Sequence, residues 1–214
     1  MTMPDDPHAG QPVLWRGVNP STARLVVVLV HGRGASAESI FTLADQFEVP
    51  DVAYVAPEAA DHTWYPYSFL APMEQNEPKL SSALRRLEGV VDDVMRRGIP
   101  ANRIAFVGFS QGACLALEFT ARHAQRYAAI AALSGGLIGQ AGTPRDYAGT
   151  MEQTPVFLGC SDVDAHVPAE RVHESAAVFT RLGAVVDARI YPGMGHTVNR
   201  DELDAVRALL GAPR

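Results

Sequence analysis

The sequence has few cysteines, no excess of basic residues and no long apolar run, and each shortage excludes a class of protein. Its two cysteines, Cys114 and Cys160, show no metal-binding or redox spacing, so we interpret both as small buried side chains. A formal net charge of −6 argues against nucleic acid or an anionic membrane as the main partner, because both bind a basic face. No run reaches the roughly 18 uncharged apolar residues of a membrane-spanning helix, so we expect no stable membrane association.

We also expect no secretory signal in the first residues, because they contain neither a basic region nor an apolar region. Residues 1–12 are instead rich in Pro, Asp and Gly, which predicts a flexible arm. The remaining residues, 13–214, are enough for a single domain with one core. We therefore expect a single-domain cytoplasmic protein that is a monomer or a homodimer.

What the chain does contain is a regular alternation of apolar, β-rich runs and amphipathic stretches. The predicted strands cover residues 23–30, 52–56, 103–109, 129–133, 155–160 and 185–191. Between them, apolar residues recur at helical spacing, as at Leu80, Leu84, Leu87 and Val91. This alternation predicts an α/β fold with a doubly wound, mostly parallel sheet, in which functional residues collect at the carboxyl ends of strands. Two irregular segments, 58–78 and 134–154, follow strands and should overhang that edge.

The most informative motif is Gly108-Phe109-Ser110-Gln111-Gly112. It lies between a predicted strand and a predicted helix that runs from Gln111 to about Gln125. A serine in a tight turn between strand and helix, with glycine on both sides, is typical of a nucleophile elbow. The glycines are needed because neighbouring backbone packs against the turn. Ser110 is therefore the candidate nucleophile.

A serine hydroxyl needs a base to take its proton and an acid to orient that base. Among seven histidines, His196 follows the last predicted strand in a Gly-rich loop and is the candidate base. The loop after the fifth predicted strand holds two candidate acids, Asp162 and Asp164, of which we favour Asp164. The order Ser110, Asp164, His196 is the chain order of the α/β-hydrolases. Because His166 has no second ligand at suitable spacing, we expect no metal.

The oxyanion of the tetrahedral intermediate requires two backbone N–H donors. Gln111 should supply one, at the N-terminus of its helix, where the helix dipole also favours negative charge. The other should come from Arg33, because glycines on both sides of it let the backbone approach closely. We expect the Arg33 side chain itself to be solvated.

With these motifs in hand, the chain resembles the phospholipase/carboxylesterase family of small α/β-hydrolases over about residues 25–210. The family's G-F-S-Q-G-G elbow is matched by residues 108–112, with Ala113 in place of the last glycine. Its D-x-x-V-P acid loop is matched from Asp164, which adds weight to Asp164 over Asp162. Its G-H pair is matched by Gly195 and His196. The resemblance implies a single-domain α/β-hydrolase without a large cap domain and without a cofactor.

The implied function is hydrolysis of a small-molecule carboxylic ester or thioester by way of an acyl-enzyme. Where the family has H-G-L-G-D, this chain has His31-Gly32-Arg33-Gly34-Ala35, so the substrate pocket differs. Four aromatic side chains near the elbow are the candidate substrate-binding residues: Trp64, Tyr65, Tyr67 and Phe69. Two alternatives stay open: a hydrolase of aromatic or lactone substrates, and a non-catalytic α/β-hydrolase used as a binding module.

Overall fold

A seven-stranded sheet forms the centre of the protein, and the computed structural model describes residues 6–212. The strands are β1 (Val13–Gly17), β2 (Leu25–Val30), β3 (Val52–Pro57), β4 (Ile104–Phe109), β5 (Ala129–Leu133), β6 (Pro155–Ser161) and β7 (Val185–Tyr191). Their spatial order is β1-β3-β2-β4-β5-β6-β7. Only β1 is antiparallel to its neighbour, and the other pairs are parallel. The predicted α/β fold with a mostly parallel sheet is therefore confirmed.

Among the described residues, four α-helices lie between strands and a fifth follows the last strand, with three short 3₁₀ turns. The helices are α1 (Ala37–Ala44), α2 (Lys79–Arg96), α3 (Gln111–Arg122), α4 (Ala169–Arg181) and α5 (Arg200–Gly211). The 3₁₀ turns are Ala60–His62, Met73–Asn76 and Ala101–Arg103. Among the residues that the structure describes, none of these helices has the length and apolar character to cross a lipid bilayer.

The helices cover both faces of the sheet and create two hydrophobic clusters. In β2, all six residues are buried, and alternate side chains enter opposite clusters because successive residues of a strand point to opposite faces. Val26, Val28 and Val30 pack with α2, α3 and α4, whereas Leu25, Val27 and Leu29 pack with α1 and α5. A strand that is buried on both faces has no solvent-exposed side, and its sequence is therefore a continuous apolar run.

The six predicted strands agree with the structure within two residues at each end. The strand β1 was missed. It is only five residues long, lies at the edge of the sheet beside β3 and is half-buried or exposed along its length. An edge strand of this kind lacks the continuous apolar run by which a central strand is recognised, so its sequence does not predict it clearly.

The prediction of a flexible arm over residues 1–12 is wrong for residues 6–12, and residues 1–5 lie outside the described residues. His8 is fully buried. Its Nδ1 accepts a hydrogen bond from the Ala60 N–H (3.0 Å), and its Nε2 donates to the Trp64 carbonyl (2.9 Å). Burial lowers the pKa of His8, which keeps the ring neutral as these bonds require. Composition alone did not reveal that this side chain anchors the segment.

Candidate active site

The nucleophile elbow is formed where β4 meets α3. Ser110 joins the two elements with φ 55° and ψ −123°, a conformation that costs a non-glycine residue about 1–3 kcal/mol. A Cβ at position 112 would lie 2.1 Å from the Val30 carbonyl oxygen, and one at Gly108 would lie 2.6 Å from the Ala113 nitrogen. Glycine at both positions therefore allows β2, β4 and α3 to hold the serine in this conformation.

Ser110, His196 and Asp164 lie in one hydrogen-bonded row at the carboxyl edge of the sheet. The Ser110 Oγ is 2.8 Å from Nε2 of His196, and Nδ1 of His196 is 2.7 Å from Oδ2 of Asp164. Because the ionised carboxylate can only accept, Nδ1 donates to it and Nε2 is left to accept the serine proton. The side chain of Asp164 is fully buried, whereas that of His196 is 21% exposed. The row thus places a polarised hydroxyl at the border of solvent.

Asp164 is held in its ionised form by the donors around it. Its Oδ1 accepts the backbone N–H groups of His166 (2.8 Å) and Val167 (3.1 Å). Burial on its own would raise the pKa of Asp164, but the hydrogen bonds from His196, His166 and Val167 outweigh burial and bring the pKa below its ordinary value. The carboxylate is therefore charged whenever it is needed to stabilise a protonated His196.

The second candidate acid, Asp162, has a different position. Its Oδ1 accepts the backbone N–H of Gly193 at 2.7 Å, in the loop that carries His196. The neighbouring Ser161 Oγ accepts the Gly195 N–H at 3.1 Å. Asp162 thus fixes the histidine loop, as asparagine and aspartate commonly do in turns, and the structure gives it no contact with the histidine ring.

Of the two predicted oxyanion donors, one lies at the start of α3 and the other in the loop after β2. Gln111 directly follows the serine and begins α3. Gly32, directly before Arg33, packs so close to the elbow that a Cβ on it would be 3.4 Å from the Ser110 Cβ. Within residues 6–212, the backbone N–H groups of Arg33 and Gln111 donate no hydrogen bond to the protein. Both are thus available to an oxygen bound beside the serine.

A cavity of about 640 Å³ opens beside Ser110 and His196. Three of the four predicted aromatic residues line it: Tyr65, Tyr67 and Phe69. The segment that follows β3 therefore overhangs the edge of the sheet at which Ser110 and His196 lie, as expected. A second cavity, of about 490 Å³, lies toward the amino ends of the strands, beside Pro155 and Phe157, and contains none of the three triad residues.

The prediction that Trp64 contacts substrate is contradicted by its position. Trp64 is fully buried and is absent from the cavity wall. Its indole Nε1 donates to the His31 carbonyl at 2.8 Å, and its ring packs against the rings of His8 and His31. Trp64 thus fixes the loop that carries Arg33, whereas its neighbour Tyr65 faces the cavity.

Comparisons with known proteins agree with this geometry. Residues 18–212 match the family model described as Phospholipase/Carboxylesterase. The chain belongs to the phospholipase/carboxylesterase family. A phospholipase/carboxylesterase crystal structure from Dyadobacter fermentans is 43% identical, with a TM-score of 0.91 over 94% of this chain and 96% of that one.

Two curated relatives indicate the range of activities in the family. A probable carboxylesterase SOBER1-like from Arabidopsis thaliana is 23% identical over 89% of this chain and 79% of its own length. Acyl-protein thioesterase 1 from Neurospora crassa is 24% identical over 89% of this chain and 88% of its own. The chain is accordingly a hydrolase of esters or thioesters, and the relatives described here give no support to the aromatic-substrate, lactone or non-catalytic alternatives.

Two side chains contribute to the site in ways that the sequence analysis did not predict. The side chain of Gln111 accepts from the Trp64 N–H (3.0 Å) and donates to the Tyr65 carbonyl (2.8 Å), which ties the cavity wall to the elbow. The thiol of Cys160 lies 3.7 Å from Oδ2 of Asp164. Burial raises the pKa of Cys160 to about 12, so the thiol is neutral beside the carboxylate. Neither role has a pattern in the sequence, because both depend on long-range packing.

Proposed function

We propose that the protein is a serine carboxylesterase that acts on small-molecule esters or thioesters without a cofactor. The observation that carries this proposal is the row from Ser110 Oγ through the His196 ring to Asp164, with distances of 2.8 and 2.7 Å. Both are within the range in which a base can take a proton directly. The open cavity beside the row supplies room for an acyl group.

The first half of the reaction forms an acyl-enzyme. The Ser110 oxygen attacks the carbonyl carbon while its proton passes to Nε2 of His196, and the carbonyl oxygen becomes negative between the N–H groups of Arg33 and Gln111. Asp164 stabilises the imidazolium through Nδ1. The bond to the leaving alcohol or thiol then breaks, and that group receives the proton from Nε2.

The second half releases the acid. A water molecule gives a proton to Nε2 and attacks the acyl carbon, which restores the same oxyanion arrangement. The proton then returns from His196 to Ser110 as the acid leaves. Tyr65, Tyr67 and Phe69 would contact the apolar part of the substrate, because they line the cavity beside the serine.

A homologous series of esters tests this function. Initial rates on 4-nitrophenyl acetate, butyrate and octanoate, and on a thioester of matching acyl length, should all depend on Ser110. Ser110→Ala should lose about 10⁴-fold or more of kcat because the triad acts as a unit. Hydrolysis that persists at the wild-type rate in a folded Ser110→Ala protein would contradict the mechanism, and no turnover of any ester by the wild type would contradict the function.

The cellular setting is part of the same proposal. We propose one catalytic domain that works in the cytoplasm, as a monomer or a homodimer. Both cysteines are free and buried, which is compatible with a reducing compartment. Ser110, His196 and Asp164 all come from one chain, so a monomer is sufficient for the proposed triad.

A further inference from the structure

The side chain of Arg33 crosses one side of the catalytic cavity. Its Nη1 donates to the Pro66 carbonyl at 2.9 Å and its Nη2 donates to the Tyr67 carbonyl at 2.7 Å. Arg33 is exposed, which agrees with the expectation of a solvated side chain, but these two bonds also hold its guanidinium in one position. It lines the same cavity as Ser110 and His196.

These bonds orient the charge of Arg33 without neutralising it. Both acceptors are backbone carbonyls, and within the described part of the chain no carboxylate oxygen lies within 4 Å of the guanidinium. A guanidinium carries five N–H donors in a planar fork, and the two carbonyls take only part of them. The remaining donors are held in place before any ligand arrives, which lowers the entropy lost on binding.

The remainder of the cavity wall does not offset the charge of Arg33. The polar side chains on it include Gln111, Ser68 and His166, and none of the lining residues is Asp or Glu among those the structure describes. The carboxylate of Asp164 is fully buried and paired with His196. The whole chain carries a net charge of −6, whereas the unpaired guanidinium gives this cavity a positive charge.

We propose that Arg33 selects esters that also bear a carboxylate, which it binds while Ser110 attacks the ester carbonyl. The planar fork of a guanidinium matches a carboxylate in a bidentate arrangement. This inference rests on the proposed esterase function and adds a substrate class to it. The carboxylate can belong to the acyl part or to the alcohol part of the ester, and the assay below separates the two.

The test uses two pairs of chromogenic esters that differ by one carboxylate. The first pair is mono-4-nitrophenyl adipate and 4-nitrophenyl hexanoate, which places the charge on the acyl chain. The second pair is the hexanoate ester of 3-hydroxy-4-nitrobenzoate and 2-nitrophenyl hexanoate, which places it on the leaving group. The measured quantity is the ratio of kcat/KM for the charged ester to that for its neutral partner.

Three variants are compared with the wild type: Arg33→Gln, Arg33→Lys and, as the control, Arg181→Gln. Arg181 is also exposed and donates to a backbone carbonyl, that of Arg145 at 3.3 Å, but it lies outside the cavity. Arg33→Gln should lower the ratio by about tenfold or more in at least one pair. Arg33→Lys should give a ratio between those of the wild type and Arg33→Gln, and Arg181→Gln should keep the wild-type ratio. Added salt should lower the ratio in the wild type.

A role of Arg33 only in fastening the Pro66 and Tyr67 backbone predicts something different. All four esters would then slow by a common factor in Arg33→Gln and both ratios would stay at the wild-type value, which would overturn the proposal and leave the esterase function standing. No turnover of any of the four esters by the wild type would instead overturn the proposed function itself.

Discussion

Two aspartates that lie two residues apart in the loop after β6 have different surroundings. Asp164 is buried and bonded to His196, whereas Asp162 bonds to the backbone of Gly193. The carboxylate of Asp164 can hold the imidazole in one tautomer, and that of Asp162 cannot reach the ring. The two residues therefore offer a matched comparison within one loop.

Asp164→Asn should lose about 10⁴-fold of kcat, by analogy with the same change in serine proteases. An amide at this position presents an N–H to His196 and favours the tautomer that cannot accept the serine proton. Asp162→Asn should keep most of its activity, because the amide oxygen can still accept the Gly193 N–H, with a stability loss of about 1 kcal/mol. Steady-state kinetics and denaturant unfolding on both variants provide the measurement, and the reverse pattern would transfer the role to Asp162.

At the residue scale, chemistry was easier to predict than packing. Ser110, Asp164 and His196 could be proposed from the sequence because each has a required residue type and follows its own strand, and the structure brings them within hydrogen-bond distance. Trp64 was misplaced because a cluster of aromatic residues does not show which ring faces inward. The contacts of His8 and of the Gln111 side chain join residues that are far apart in the sequence, so no local pattern predicts them.

At the element scale, the segment between β3 and α2 controls the shape of the cavity. Phe69 is nearly buried yet lines the cavity, while Trp64 is fully buried and bonded to the His31 carbonyl. Discrimination between acyl groups should therefore depend on Phe69, and the position of the whole segment should depend on Trp64.

Phe69→Ala should change the ratio of kcat/KM between long and short 4-nitrophenyl esters by about tenfold, since a lost apolar contact in a pocket is worth about 1–3 kcal/mol. Trp64→Ala should instead slow all esters by one factor and lower the free energy of unfolding by about 3–5 kcal/mol. An ester-length series on both variants, with denaturant unfolding, measures these effects. If Trp64→Ala alone changes the ratio, the cavity wall has been assigned to the wrong ring.

The elements themselves were largely predictable, and the exceptions share a cause. Central strands such as β2 and β4 are continuous apolar runs because helices cover both faces of the sheet. The regular alternation of these strands with helices along the chain predicts the parallel sheet. The edge strand β1 is only half covered, so its five residues do not stand out. How far the segment 58–78 would fold over the serine depends on contacts such as that of Asn76 with the Tyr67 N–H, which the sequence does not reveal.

At the scale of the whole molecule, one buried acid should shape the dependence of stability on pH. Glu202, at the start of α5, is fully buried, and one of its oxygens accepts the Asn199 N–H while the other has no hydrogen-bond partner. Burial raises the pKa of Glu202 to about 7. The folded protein thus binds this proton more tightly than the unfolded chain, in which the pKa is about 4.3.

The sign follows from linkage: stability due to Glu202 is complete below about pH 4.3 and is lost as the pH rises through about 7. The unfolding free energy should therefore decrease by roughly 2–3 kcal/mol less between pH 5 and pH 8 in Glu202→Gln than in the wild type. Denaturant titrations across this range measure it, with the exposed Glu88→Gln on α2 as the control. An unchanged slope in Glu202→Gln would show that Glu202 is already charged in the folded protein at pH 5.

The central claim, that Ser110 is the activated nucleophile, is tested most directly by covalent labelling. A fluorophosphonate probe followed by intact-mass measurement should add one label to the wild-type protein, on Ser110. Ser68→Ala, which removes another serine from the cavity wall, should still be labelled once, and folded Ser110→Ala should take up no label. Labelling of Ser110→Ala to the wild-type extent would contradict the account.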